Sequence, residues 1–273
     1  MGGIFDFHNI NKPGPGVPKN EPPKPRIILF FQIYQRRFWD LVKLNLLFTL
    51  FNIPALLSAA LILILFSANF QGLFAEETLL GYSLFFAFCT VFLSIPVITT
   101  GPAQAGFTYV LRNYTRQEHA FIWWDFKEHA KNNFKQGLVI SLIDFLVVLF
   151  VFIDIYIYIN AGINSIFLSI SVYIVILFFA IYLMMHLYIY PILVTFKLSL
   201  KHTYKNAFIF AMIKLLPNMG ILILCLALSI IPFLFLPVIA AILFPFITLS
   251  TIGFITNFYA YPALEKFMLN PKE

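Results

Sequence analysis

Leu138-Val-Ile-Ser-Leu-Ile-Asp-Phe-Leu-Val-Val-Leu-Phe-Val-Phe-Ile-Asp-Ile-Tyr-Ile-Tyr-Ile159 carries two aspartates, no basic residue, and otherwise almost only aliphatic and aromatic side chains. A helix of this length rises far enough to cross the roughly 30 Å hydrocarbon core of a bilayer. A helix that is apolar all round has no stable place on the surface of a soluble domain. Lys135 stands just before this run, and the next basic residue is Lys197. The same alternation governs the whole chain. Seven of the 18 Lys and Arg residues precede the first apolar run, five lie between Arg112 and Lys135, four between Lys197 and Lys214, and two after Leu264. Positive charge near membrane-segment ends stays in the cytoplasm, so this distribution predicts orientation as well as class.

The reading that follows is an all-α membrane protein of six transmembrane helices, arranged as three antiparallel hairpins with both termini in the cytoplasm. The spans are predicted at Leu41–Phe66, Leu79–Thr100, Leu138–Ile159, Ile166–Tyr190, Asn218–Leu236 and Val238–Tyr259. The external connections, Ser67–Thr78, Asn160–Ser165 and a turn near Pro237, are too short to pass around a third helix, so each joins neighbours. Composition agrees: 61% hydrophobic and 11% charged residues stand far from the roughly 25% charge of a soluble domain. The net charge of +6 sits beside apolar spans, where anionic lipid is the nearer counter-charge, and nucleic-acid binding is not expected. Cys89 and Cys225 fall inside spans as small packing residues, which argues against a disulfide framework or a zinc site. The first apolar run is too long for a cleaved signal and reads as a retained helix.

The domain organisation expected is a mobile Pro/Gly-rich arm over 1–37, a six-span domain over 38–264 and a tail over 265–273. The arm ends in an aromatic and basic segment, Phe30–Trp39, suited to the head-group layer. Between the second and third spans, Ile122, Trp123, Phe126, Ala130 and Phe134 share one helical arc. Lys127, Lys131 and Lys135 edge that arc, the pattern of a helix lying in the interface with lysines reaching anionic lipid. Lys197, Lys201 and Lys205 repeat the spacing 70 residues on, and Tyr190-Pro191 and Tyr261-Pro262 recur at nearly the same offset. These matches suggest related hairpins, each returning helix closing at a proline.

Gly101-Pro-Ala-Gln-Ala-Gly-Phe-Thr-Tyr-Val-Leu-Arg112 is followed by Glu118, Phe121, Trp124, Phe126 and Asn133-Phe134-Lys135-Gln136. With the opening Met1-Gly-Gly-Ile-Phe and Asn45-Leu-Leu, these residues resemble the YesL-like family of bacterial multi-pass membrane proteins. The resemblance implies a bacterial cell-membrane location. Members of that family of unknown function often lie near carbohydrate-uptake and regulatory genes, which implies a transport-related role. Read from the residues alone, Gly101 and Pro102 should interrupt the second helix, because Pro102 has no N–H to donate. Ala103, Ala105 and Gly106 should then let the restarted helix approach a neighbour. The same break could instead line a solute site, as in transporters with discontinuous helices.

No catalytic constellation, metal motif or cofactor signature is present, so catalysis is not expected. The candidate intramembrane polar site is Asp144, His186 and Lys214. Asp144 and His186 lie at matched depth on antiparallel neighbours, and Lys214 is equivalent to Asp144 under the 70-residue offset. An ionisable group in a span faces protein or a water cavity. A structural ion pair, a solute or proton path and simple snorkelling all fit the sequence. The leading functional expectation is a non-enzymatic accessory or regulatory subunit of a solute-uptake system, carbohydrate being one candidate solute, with subunits of that system as partners. The alternative is a small secondary transporter using the Asp/His/Lys cluster; an intramembrane enzyme ranks below both.

Overall fold

The computed structural model describes residues 25–67, 99–161 and 166–269, and no strand occurs among them. Helix α1 (Arg26–Arg36) starts directly after Pro25, the last proline of the arm, and belongs to a separate unit, Met1–Arg36. Within α1 the rings of Phe30 and Tyr34 stack one helical turn apart.

The second unit, Arg37–Glu273, holds the remaining helices. They are α2 (Phe38–Ser67), α3 over residues 99–115, α4 (Ile122–Asn132), α5 (Phe134–Ala161), α6 (Ile166–Thr195), α7 (Leu200–Ile213) and α8 (Leu215–Phe235). Then come α9 (Pro237–Leu243), a π segment (Phe244–Thr248), α10 (Leu249–Leu264) and a terminal π segment (Glu265–Leu269). Among the described residues, five stretches are long and apolar enough to cross a membrane: Phe38–Ser58, Phe134–Ile155, Ile166–Thr195, Leu215–Phe235 and Pro237–Leu269. The span expected at Leu79–Thr100 lies outside the described residues except for its last two.

Helix α6 packs against α5, α7, α8 and α10, while α2 packs against the π segment and α10. Asp144 of α5 meets Tyr182 and His186 of α6, and Asp154 meets Ser171, so these two helices run antiparallel. Asn218 with Tyr259, and Phe233 with Phe244, give α8 and its returning partner the same relation. All the buried residues of α6 fall between Met184 and Val194, where they join Ala105, Ile140, Ala207 and Ala260 in the core. Its other half and α5 expose Phe150, Phe152 and Phe178, as lipid-facing helices do.

Several expectations change. Helix α3 runs unbroken through Gly101 and Pro102, so the pair does not interrupt it among the described residues. Gly101 serves close approach instead: a Cβ there would lie 2.1 Å from the carbonyl oxygen of Gly137 on α5. Gly106 does the same for α4, with Phe126 O only 2.3 Å from an added Cβ. Small residues thus bring α3 onto two neighbours, which is how helices associate where no hydrophobic drive exists between them.

The first amphipathic helix stops at Asn132, and Phe134 to Gln136 open α5. Its apolar face is only partly free for lipid, because Phe126 is fully buried, with its ring against Phe51 of α2. Helix α7 is likewise a packed element, burying Thr203, Ala207, Phe210 and Ala211. The Tyr-Pro pairs do not close their helices; α6 continues to Thr195 and α10 to Leu264. A proline loses one backbone bond but keeps a helical φ, so a packed helix can carry it near its end. The 70-residue offset aligns the break at Asn133 with Thr203 inside α7, so the lysine spacing does not mark equivalent elements.

Helix α3 ends by backbone geometry rather than composition. Glu118 N–H donates to Asn113 O at 2.8 Å and Gln117 N–H to Tyr114 O at 3.0 Å. That is a Schellman stop, with Gln117 at φ 60° where glycine is usual. Phe121 N–H then donates to the Asp125 carboxylate at 2.8 Å, which fixes the start of α4.

Candidate functional site

Three polar residues inside the spans carry most of the interhelical hydrogen bonding. Asn45 of α2 donates to Phe244 O at 3.0 Å and accepts from Ser250 N–H at 2.5 Å. Phe244 opens the π segment and Ser250 lies just past it, where Pro245 disturbs the regular ladder and leaves backbone groups to be met from outside the helix. Asn218 of α8 accepts from the hydroxyls of Tyr188 and Tyr259, both at 2.7 Å. Its amide donates to Phe210 O and Ala211 O at 3.0 Å, meeting carbonyls at the end of α7. Both residues are fully buried, with every hydrogen bond closed between helices, and have the character of fasteners.

The third residue differs. Asp144 Oδ1 accepts from Tyr182 Oη at 2.5 Å and lies 2.8 Å from His186 Nε2. An ionised carboxylate only accepts, so Asp144 in that form fixes the neighbouring imidazole proton on Nε2. The Tyr182 ring meets the His186 ring edge to face. Asp144 and His186 keep 30% and 25% of their side-chain surface exposed, so the pair is not sealed.

What they face is a cavity of about 380 Å³ bounded by α3, α5, α6, α8 and α10. Thr100, Gln104 and Thr108 line it from successive turns of α3, and Tyr190, Thr256 and Asn257 add further polar groups. Gln104 Nε2 points along that stripe to Thr108 Oγ1 at 3.5 Å. Lys214 lies elsewhere, at the α7–α8 junction, with its ammonium 5.9 Å from the centre of the Tyr259 ring. The structure thus brings Asp144 and His186 together and puts Lys214 beside the Asn218 fastener. Its supposed equivalence to Asp144 fails because Asp144 lies well inside α5, whereas Lys214 caps a helix.

Sequence reasoning missed Tyr182 and the α3 stripe. A spacing of four between Thr100, Gln104 and Thr108 was the available signal, but it lay within a segment read for its small residues. Of the interface candidates, Lys127, Lys131, Lys135, Lys197, Lys201 and Lys205 are all exposed. Trp123 is half exposed, its ring 6.2 Å from that of Phe51. Among the described residues no group of three or more His, Cys, Asp or Glu side chains could hold a metal.

Outside the spans, His129 of α4 lies parallel to the Tyr109 ring of α3, and the Arg112 guanidinium sits 4.2 Å from that ring's centre. Burial, and then the charge of Arg112, push the His129 imidazolium below the usual histidine range.

Residues 41–155 match the model of a family described as protein of unknown function, DUF624, which is the YesL-like family. The match covers less than half of the chain. No curated protein and no solved structure matches it.

Proposed function

We propose that this chain is a non-enzymatic membrane protein of solute uptake that itself holds a small polar solute, with the Asp144–His186 cavity as the site. The observation that carries this reading is the cavity's lining, in which four helices, α3, α5, α6 and α10, contribute polar groups around a partly exposed carboxyl–imidazole pair. Buried polar groups that only fasten helices close their bonds on one another, as at Asn45 and Asn218. Asp144 and His186 instead keep part of their side-chain surface open beside the cavity they line. A carboxyl acceptor, the Gln104 and Asn257 amides, and hydroxyls beside the Tyr190 ring suit a hydroxyl-rich solute such as a monosaccharide. The volume of about 380 Å³ lies within the range of small-molecule sites. In this reading the basic end faces the cytoplasm.

The test is uptake of labelled monosaccharides into proteoliposomes holding the full chain, with and without a pH gradient. Asp144→Asn and His186→Gln are expected to abolish uptake while changing thermal stability little. If no sugar is taken up, and each substitution lowers stability with the double mutant losing less than the sum, the pair is a structural tie only.

A role as accessory subunit is favoured by a different observation. An apolar furrow of about 550 Å³ runs along α5 and α6, lined by Leu146, Phe150, Phe178 and Met185. A partner's transmembrane helix could lie there. Affinity capture from native membranes, repeated with Phe150→Ala, would support this role if a transport subunit co-purifies with the parent chain and is lost from the variant.

A further inference from the structure

Independently of the Asp144 cavity, the basic end of the molecule holds a second concavity of about 1140 Å³, between the α4–α5 junction and the α6–α7 link. Lys131 and Lys135 stand on one wall and Lys197 on the other, all three exposed, and among the described residues no carboxylate lines the space. Among the described residues none of these lysines has an acidic partner at ion-pair distance. The walls are tied across: Gln136 Nε2 donates to Leu198 O at 3.1 Å. On the first wall, Asn133 Nδ2 donates to His129 O at 2.9 Å. Arg112 holds the second from beneath, its Nη1 donating to Val194 O at 2.8 Å. The lysines therefore project from fixed backbone.

Like charges lining a concavity between low-dielectric walls concentrate positive potential there. The group that relieves it is a compact anion with several acceptor oxygens, which lysine ammonium groups bind as point charges. Asn132 lies on the same lining and can donate to a further oxygen. We propose that this cleft binds the phosphate group of an anionic ligand, with Lys131, Lys135 and Lys197 as its charge partners. That phosphate belongs either to a lipid head group or to a soluble phosphate ester, and the chemistry at the lysines is the same.

The experiment uses the full chain in nanodiscs and two variants. One is Lys131→Gln/Lys135→Gln/Lys197→Gln. The other is the control Lys201→Gln/Lys205→Gln, which removes two exposed lysines of α7 that do not line the cleft. In the lipid arm, discs of phosphatidylcholine mixed with phosphatidylglycerol are compared by counting lipids retained in native mass spectrometry. In the soluble arm, glycerol 3-phosphate binding is titrated in discs of phosphatidylcholine alone. Binding in at least one arm is expected to weaken on the order of a hundredfold in the triple variant, with the control close to the parent chain. Loss confined to the first arm identifies a lipid head group, and loss in the second a soluble ester. Binding by the triple variant equal to the parent, equal loss in the control, or no binding by the parent in either arm overturns the proposal.

Discussion

At the scale of single residues, Asn218 uses its amide on two carbonyls and its oxygen on two tyrosines, so Asn218→Leu would remove four interhelical hydrogen bonds at once. Interhelical hydrogen bonds in membranes average about 0.6 kcal/mol each, so a loss of about 2 kcal/mol in detergent unfolding is expected. A shift indistinguishable from zero would mean that water or rotated side chains meet those groups. Gln117 offers the opposite sign. Its φ of 60° strains a residue with a Cβ, and Gln117→Gly should stabilise by about 1 kcal/mol, read by the same unfolding measurement. His129 supplies a pH dependence. Its folded pKa lies below the unfolded value, so its contribution is intact above about pH 6.5 and is lost as pH falls, when the unfolded chain takes up the proton first. In stability-against-pH curves, His129→Gln should flatten the slope just below pH 6.5.

Between elements, contacts rest on how closely backbones approach. Gly101→Ala places a methyl group against the backbone of Gly137, which cannot swing aside as a side chain can, so α3 and α5 must separate. Gly220 of α8 has open space around it, and there alanine should be neutral or stabilising by up to about 1 kcal/mol through helix propensity. Thermal unfolding of both variants compares the two cases. Equal effects would show that the α3–α5 contact contributes nothing. The same scale explains which helices were legible. Alternation of apolar runs with basic connections marks where chain leaves lipid, and it located α5, α6 and α8 closely. It failed at the end of α4, because Asn133 interrupts a pattern whose apolar periodicity continues through it into α5. It also missed the π segment at Phe244–Thr248, since an apolar run looks the same with or without one extra residue in a turn.

For the molecule as a whole, the basic residues predict an orientation that labelling can check. In a cysteine-free background, a cysteine at Asn164 should react with an impermeant thiol reagent in intact cells, and one at Asn132 should not. Reaction at Asn132 would reverse the orientation and put the lysine cleft outside. The sequence by itself determined the helical class, the stretches apolar and long enough to span a membrane, and the clustering of basic residues between them. These are properties a residue carries in its own side chain, so composition and period reveal them. Sequence also allowed Asp144 and His186 to be paired, because a short link between antiparallel helices sets their register by counting. Only the tertiary structure decided that Asn45 meets Ser250, that Gly101 lies on Gly137, and that three turns of α3 line the space beside Asp144. Those contacts join helices far apart in the chain. Lipid-facing and helix-facing apolar surfaces are chemically alike, so no local pattern says which helix a given face will meet.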